Sequence, residues 1–247
     1  MDRWVGKVAI VTGASAGIGA AIAEELVMSG INVVGMARRE NKMNEMVEKF
    51  GKYPGKFYSL KTDLTVVEDI LASLKWVKDN VGPIHIVINN AGFLAEGGTF
   101  NGDLSVWKSQ MDSMLLAPCI ISQESIKDMI ANNVDGHIIN VNSIYGHVIN
   151  HVYNPEMGIY PAIKHGISAL TETTRQELVL KGKKIKISAI SPGMTGSELF
   201  NGYPAEAIAK IPLLSCTDVS NAVMFMLSRP PHVQVQEMVI KPIGEIA

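Results

Sequence analysis

Cysteine is scarce in this sequence: Cys119 and Cys216 are the only two in 247 residues. They form no Cys-x-x-Cys pair and cannot build a zinc site by themselves. A chain so sparing of thiols suits a reducing compartment, with both cysteines free and buried. Long apolar runs are missing too. No stretch approaches the ~20 residues that a membrane span requires, and Val8–Val11 is too short for the apolar core of a secretory signal. Asn-x-Ser/Thr acceptors and C-terminal address tags are absent. Charge of one sign is nowhere concentrated. The formal net charge is −2, and no basic block offers a footprint for nucleic acid or an anionic membrane. A cytoplasmic protein is expected. Aromatic residues make up 6% against 47% apolar, with 22 glycines, which suits an aliphatic α/β core whose turns approach a ligand closely.

What is present has a rhythm. Short apolar runs at Lys7–Thr12, Asn32–Ala37, Lys56–Lys61, Ile84–Asn89, His137–Val141, Lys186–Ser191 and Gln236–Ile240 read as strands. Several are continuous Val/Ile runs, as expected where helices cover both faces of a sheet. Amphipathic patterns lie between them: Ile18, Ala21, Ile22 and Leu26 after the first run, and Ile163, Ile167, Leu170, Thr174 and Leu178 before the sixth. Longer helical patterns span Leu104–Asn132 and Tyr160–Lys181. Such alternation predicts an α/β fold, a doubly wound parallel sheet of about seven strands, because parallel neighbours need crossover connections. No repeat, low-complexity tract or linker divides the chain, so a single Rossmann-type domain over residues 1–247 is expected. Two irregular stretches, Gly146–Gly158 and Gly193–Ser215, leave from carboxyl ends of strands, where open α/β sheets bind ligands.

The first strand runs into Thr12-Gly13-Ala14-Ser15-Ala16-Gly17-Ile18-Gly19 and then a helix. Gly13 makes a tight turn, Gly17 admits backbone to a pyrophosphate, and Gly19 lets the helix pack closely on the sheet. Free N–H groups at the helix start then face the phosphates, with Ser15 and Ile18 beside them. The same residues spell a Gly-x-Ser-x-Gly nucleophile elbow, a hydrolase signature. That reading fails on position, since an elbow needs earlier strands and an oxyanion loop before it. The second strand ends in Ala37-Arg38-Arg39 rather than in an acid able to bind a ribose 2′-hydroxyl. Arginine grips phosphate with a bidentate fork, so NADP(H) is expected over NAD(H), with Arg38 the first candidate and Arg39 the second.

The ordered set of motifs resembles the short-chain dehydrogenase/reductase family over nearly the whole chain. Thr12-Gly13-x-x-x-Gly17-x-Gly19 is similar to the family's cofactor loop, and Asp63-Leu64 to its adenine contact. Asn89-Asn90-Ala91-Gly92 follows the fourth strand, and Pro192-Gly193, with Thr195 and Ser197 beyond, resembles the stretch beside the nicotinamide. Ser143 and Tyr160-Pro161-Ala162-Ile163-Lys164 match the active-site Ser and Tyr-x-x-x-Lys. The resemblance implies that Ser143 holds the substrate oxygen, Tyr160 gives or takes a proton, and Lys164 lowers the Tyr160 pKa; residues four apart share a helix face. It also implies that Tyr160 and Lys164 touch the cofactor, and that the protein works as a homodimer or homotetramer. Within the family, His137–Ser143 with Gly146-His147, Ala169–Glu172 with Arg175–Leu178, and Ile240-Lys241-Pro242 resemble the branch containing insect farnesol dehydrogenases. That kinship implies an apolar alcohol, aldehyde or ketone as substrate: an isoprenoid alcohol such as farnesol, or a retinoid- or steroid-like carbonyl. Ile144, Val148, Val152, Tyr153, Met157 and Met194 are the apolar candidates for its pocket.

One position departs from the family. Where it carries an Asn that completes a tetrad with the other three, this chain has Met114. A thioether is only a weak acceptor and donates nothing. The alternative reading is therefore an NADP-binding protein with little turnover. His147 and His151 stand four apart, but Val148 replaces the Glu of a His-Glu-x-x-His site and the segment reads as loop, so no metal is expected.

Overall fold

The structure is a computed structural model that describes residues 1–95, 97–149, 156–198 and 211–246. Seven strands form one sheet: β1 Val8–Thr12, β2 Asn32–Ala37, β3 Phe57–Lys61, β4 Ile84–Asn89, β5 His137–Val141, β6 Lys186–Pro192 and β7 Glu237–Ile240. Every expected strand is present, and its ends shift by at most one residue. All neighbours run parallel in the order β3-β2-β1-β4-β5-β6-β7. The chain winds outward from β1 to β3, then returns to the far side of β1. The order therefore reverses between β1 and β4, where a crevice opens at the carboxyl ends.

Helices cover both faces because alternate residues of each strand point opposite ways. Ala9 and Val11 face a core shared with Ile22 and Leu26 of α1 (Gly17–Met28), Met43 and Phe50 of α2 (Glu40–Phe50), and Val219, Val223 and Met226 of α7 (Cys216–Ser228). Val8 and Ile10 face the other core. There they meet Ile70, Leu74 and Val77 of α3 (Val67–Asn80), Ala117, Ile121 and Met129 of α5 (Ala117–Ala131), and Leu178 of α6 (Tyr160–Leu180). Burying each Val, Leu, Ile, Met or Phe side chain among these stabilises the fold by about 1.5–3 kcal/mol. The expected α6 stripe is partly corrected: Ile163, Ile167 and Leu178 are buried, but Thr171 joins them, while Leu170 and Thr174 lie half-buried.

The long pattern Leu104–Asn132 is also more than one helix. It divides into α4 (Leu104–Met111), a π turn (Asp112–Leu116) and α5, with the Ala117 N–H donating to Asp112 O five residues back. Pro118 supplies the reason: it has no N–H for the Met114 carbonyl, so the ladder widens just before it. Met114 sits in this turn and is buried. The cysteines correct another expectation. Both are free, but each is only half-buried, and burial pushes their thiols up.

Candidate active site

The crevice at the strand ends is a cleft of about 720 Å³, within the range of small-molecule and cofactor sites. At its β1 end the backbone is clipped across the switch point. Thr12 Oγ1 accepts from the N–H groups of Asn90 (3.0 Å) and Ala91 (3.1 Å), and Asn90 Nδ2 donates to Thr12 O at 2.9 Å. Gly13 lies at φ +65°, and a Cβ there would press on Ala91 at 2.9 Å. A Cβ on Gly19 would run into the Gly13 carbonyl and the Asn90 amide, so α1 meets this turn too closely for any side chain. Ala16, before α1, offers no side-chain cap, which leaves the first N–H groups of the helix available to an anion at the cleft wall.

Arg38, Arg39, Asp63 and Leu64 line the same end. Arg39 Nε donates to Ser15 Oγ at 3.1 Å, and its Nη1 meets Glu198 Oε2 at 2.6 Å. Lys42 Nζ reaches the other oxygen of Glu198, also at 2.6 Å. Asp63 accepts from the Thr65 N–H and hydroxyl, and these bonds hold its carboxyl below the usual range.

At the other end, a buried chain of amides fixes α6 against the sheet. Asn89 Nδ2 donates to Asn140 Oδ1, Asn140 Nδ2 to Thr171 Oγ1, and Asn142 Nδ2 to Ser168 Oγ, each at 2.8 Å. This register sets Tyr160 and Lys164, one turn apart on α6, beneath Ser143 at the end of β5. Ser143 and the Tyr160 hydroxyl are hydrogen-bonded to each other. Lys164 Nζ donates to Val141 O at 3.0 Å and stands 5.5 Å from the Tyr160 ring centroid. The protein's own field does not lower the Tyr160 pKa as expected. Burial dominates and pushes the phenol up to about 12, and burial lowers Lys164 to about 8. The Ser143 hydrogen bond opposes the rise in the phenol.

All the expected cofactor and catalytic residues line the cleft except Gly19, which packs behind the glycine turn. Ile144, Met157 and Met194 line it too, whereas Val148 does not; Val152, Tyr153 and His151 lie outside the described residues. His147 instead pairs with Glu237 at 2.6 Å and Ser191 at 3.1 Å. Sequence reasoning missed Phe93 and Leu94, which follow the Asn-Asn-Ala-Gly stretch directly, and Tyr145, whose ring stands edge-on to Tyr160 at 6.2 Å. Adjacency to strand ends was the available signal for these three. It also missed Glu245, whose Oε1 accepts from the Met194 N–H at 3.2 Å while Oε2 lies against Gly193 without a protein partner. No local pattern marks that residue. Met114 packs its methyl 3.4 Å from the place a Cβ on Gly92 would take, so the position matched to the family's Asn faces the cleft as an apolar wall.

The model of the short chain dehydrogenase family matches residues 7–207. The chain is 40% identical over 249 residues to a farnesol dehydrogenase of Aedes aegypti, covering 99% of each chain. It is 37% identical over 257 residues to dehydrogenase/reductase SDR family member 11 of Gallus gallus, with 100% of each chain covered. Among solved structures, a metagenomic short-chain oxidoreductase in complex with NADP superposes with a TM-score of 0.81 at 26% identity, over 97% of this chain and 98% of that one.

Proposed function

From the premise that this chain belongs to the short chain dehydrogenase family, we propose that it is an NADP(H)-dependent oxidoreductase acting on CH–OH groups. Its substrates are apolar alcohols, aldehydes or ketones, farnesol-like isoprenoids foremost, with retinoid- or steroid-like carbonyls as further candidates. The observation that carries the reading is the convergence of Ser143, Tyr160 and Lys164 in the same cleft as the glycine turn and the uncapped start of α1.

The residues present fit a dinucleotide. Glycines at 13 and 19 clear space that a Cβ would fill, and Arg38 and Arg39 line the cleft beyond β2. Gly13, Ser15, Gly17 and Ile18 would hold the pyrophosphate and Gly19 would keep the turn tight. Arg38 and Arg39 would take a 2′-phosphate, and Asp63 and Leu64 the adenine. Asn90, Ala91, Gly92, Pro192, Gly193, Thr195 and Ser197 would border the nicotinamide end. When bound, the cofactor would supply or accept the hydride. Ser143 donates to the substrate oxygen and Tyr160 passes it a proton, or takes one in the reverse direction. Lys164, 5.5 Å from the Tyr160 ring, stabilises the phenolate that forms.

The test follows nicotinamide absorbance with NADPH and NADH over a panel of apolar alcohols and carbonyls. Turnover with NADPH that disappears in Tyr160→Phe supports the reading; activity that survives in the variant sinks it. Replacing Arg39 by Ala is expected to raise the NADPH KM by about 10- to 100-fold, the scale of losing a charged hydrogen bond, with little change for NADH. Equal effects on both cofactors would remove the NADP preference from the proposal.

Met114 favours a second reading, an NADP-binding protein with weak turnover. NADPH protection against thermal unfolding without any turnover in the panel would select it. The first reading also takes the protein as cytoplasmic, and as a homodimer or homotetramer joined through the faces of α4–α5 and α6. Sedimentation checks the assembly. Among the described residues, no helix is long and apolar enough to cross a membrane.

A further inference from the structure

The acid that meets Arg39 and Lys42 comes from far along the chain. Glu198 follows β6, 159 positions after Arg39, and belongs to the cleft lining together with Ser15, Arg38 and Arg39. Its carboxylate is shared between two cations: Oε2 meets the Arg39 guanidinium and Oε1 the Lys42 ammonium, each at 2.6 Å. Arg39 is meanwhile held in place by its Nε bond to Ser15 Oγ, on the glycine turn itself. Ser197, next to Glu198, stands over that turn: a Cβ on Gly17 would come within 3.5 Å of the Ser197 Cβ. An anion bridging a guanidinium and an ammonium is the arrangement a phosphate dianion adopts when arginine and lysine bind it. A protein carboxylate thus already occupies cations placed for a phosphate at the adenosine end of the cleft.

We propose that Glu198 is a specificity-determining residue for the cofactor, an internal competitor whose carboxylate holds the Arg39–Lys42 pair that a 2′-phosphate must take. The inference rests on the NADP(H) reading above and adds Lys42 to the phosphate-binding set. A 2′-phosphorylated dinucleotide displaces Glu198, whereas a dinucleotide without that phosphate leaves the bridge closed. Glu198 therefore narrows the preference that Arg39 and Lys42 create. Side chains at both ends of the bridge are 40–46% exposed, so the pairs are weak enough to exchange.

The experiment is calorimetric titration of wild type, Glu198→Gln and Lys42→Gln with NADPH, NADH and adenosine 2′,5′-bisphosphate. Glu198→Gln is expected to bind NADPH and the bisphosphate about three- to tenfold more tightly, the scale of two exposed ion pairs, with NADH affinity unchanged. The gain should shrink as salt is raised, because the competing pair is screened. Lys42→Gln should weaken both 2′-phosphorylated ligands and spare NADH. Unchanged or weaker NADPH binding by Glu198→Gln overturns the inference, and so does equal tightening toward NADPH and NADH. The two levels fail separately. A wild type that binds NADPH no better than NADH removes the NADP(H) reading and this inference with it, whereas a clear wild-type preference that Glu198→Gln leaves untouched removes the inference alone.

Discussion

The two ends of the cleft are made of different material. At the β1–α1 end the binding surface is backbone: a left-handed glycine, an uncapped helix start and a turn clipped to Asn90 and Ala91 through Thr12. These groups are held by the buried cores on both faces of the sheet. At the other end the chemistry hangs on side chains of α6 and β5, and the walls come from irregular segments after β5 and β6. The first end is fixed by sterics, and on the proposed reading it would take what all dinucleotides share. The second is fixed by buried hydrogen bonds and desolvation, so on the proposed reading small chemical changes there are expected to alter rate and selectivity without unfolding the protein.

Four substitutions sharpen that contrast. Tyr160→Phe has the largest expected effect: kcat falls by about 10²- to 10⁴-fold, the scale of a lost general acid–base group, while NADPH binding persists. Stopped-flow binding with steady-state rates separates the two, and joint loss of binding would break the division between the ends. Next comes Lys164→Met, read through pH. Folding lowers the Lys164 pKa from 10.5 to about 8. Between those values the unfolded chain keeps a proton that the folded protein has shed, so this contribution to stability rises with pH and is lost as pH falls through about 8. It amounts to on the order of 3 kcal/mol across the window. Tyr160 works in the opposite sense, because its phenol stays neutral in the fold up to about 12 and its contribution is lost as pH rises above 10. Urea unfolding at several pH values should show wild type gaining on Lys164→Met as the medium becomes alkaline; parallel curves would show that Lys164 is not desolvated.

Gly19→Ala tests the steric end. The added methyl must displace the Gly13 carbonyl or the Asn90 amide. Destabilisation of about 1–3 kcal/mol and loss of NADPH affinity are expected. Wild-type Tm and affinity would mean the turn has slack that the close packing denies. The smallest effect belongs to Met114→Asn, which places a donor and an acceptor beside the cleft where a thioether stands. A severalfold rise in kcat with an unchanged NADPH Kd is expected. A neutral or harmful result would count against Met114 as a weakness in proton handling.

Much of this was legible from residue order. Val/Ile runs marked the inner strands β1 and β4 because a strand covered on both faces needs apolar side chains at nearly every position, whereas the edge strands β3 and β7 are partly exposed and carry mixed residues. The glycine turn was legible because its work is done by residues within a few positions of one another. Tyr160 and Lys164 were legible as a pair because four residues make about one helical turn. Pro118 carried a usable signal as well: a missing N–H inside the Leu104–Asn132 pattern predicts a break in the ladder, and the π turn stands just before it.

Tertiary structure decided what depends on distant partners. The pairing of β1 with β4 creates the crevice, and nothing near β1 in the chain specifies that neighbour. The bridge from Glu198 to Arg39 and Lys42, and the contact of Glu245 with Gly193 and Met194, bring together residues that no local pattern links. The ionisation of the site belongs here too. Spacing placed an ammonium near a phenol and suggested a lowered pKa, yet burial sets the energy of the charged forms and moved Tyr160 upward. Sequence fixes which groups are near each other along a helix or turn. Desolvation and long-range pairing depend on everything packed around them, and only the folded chain supplies that.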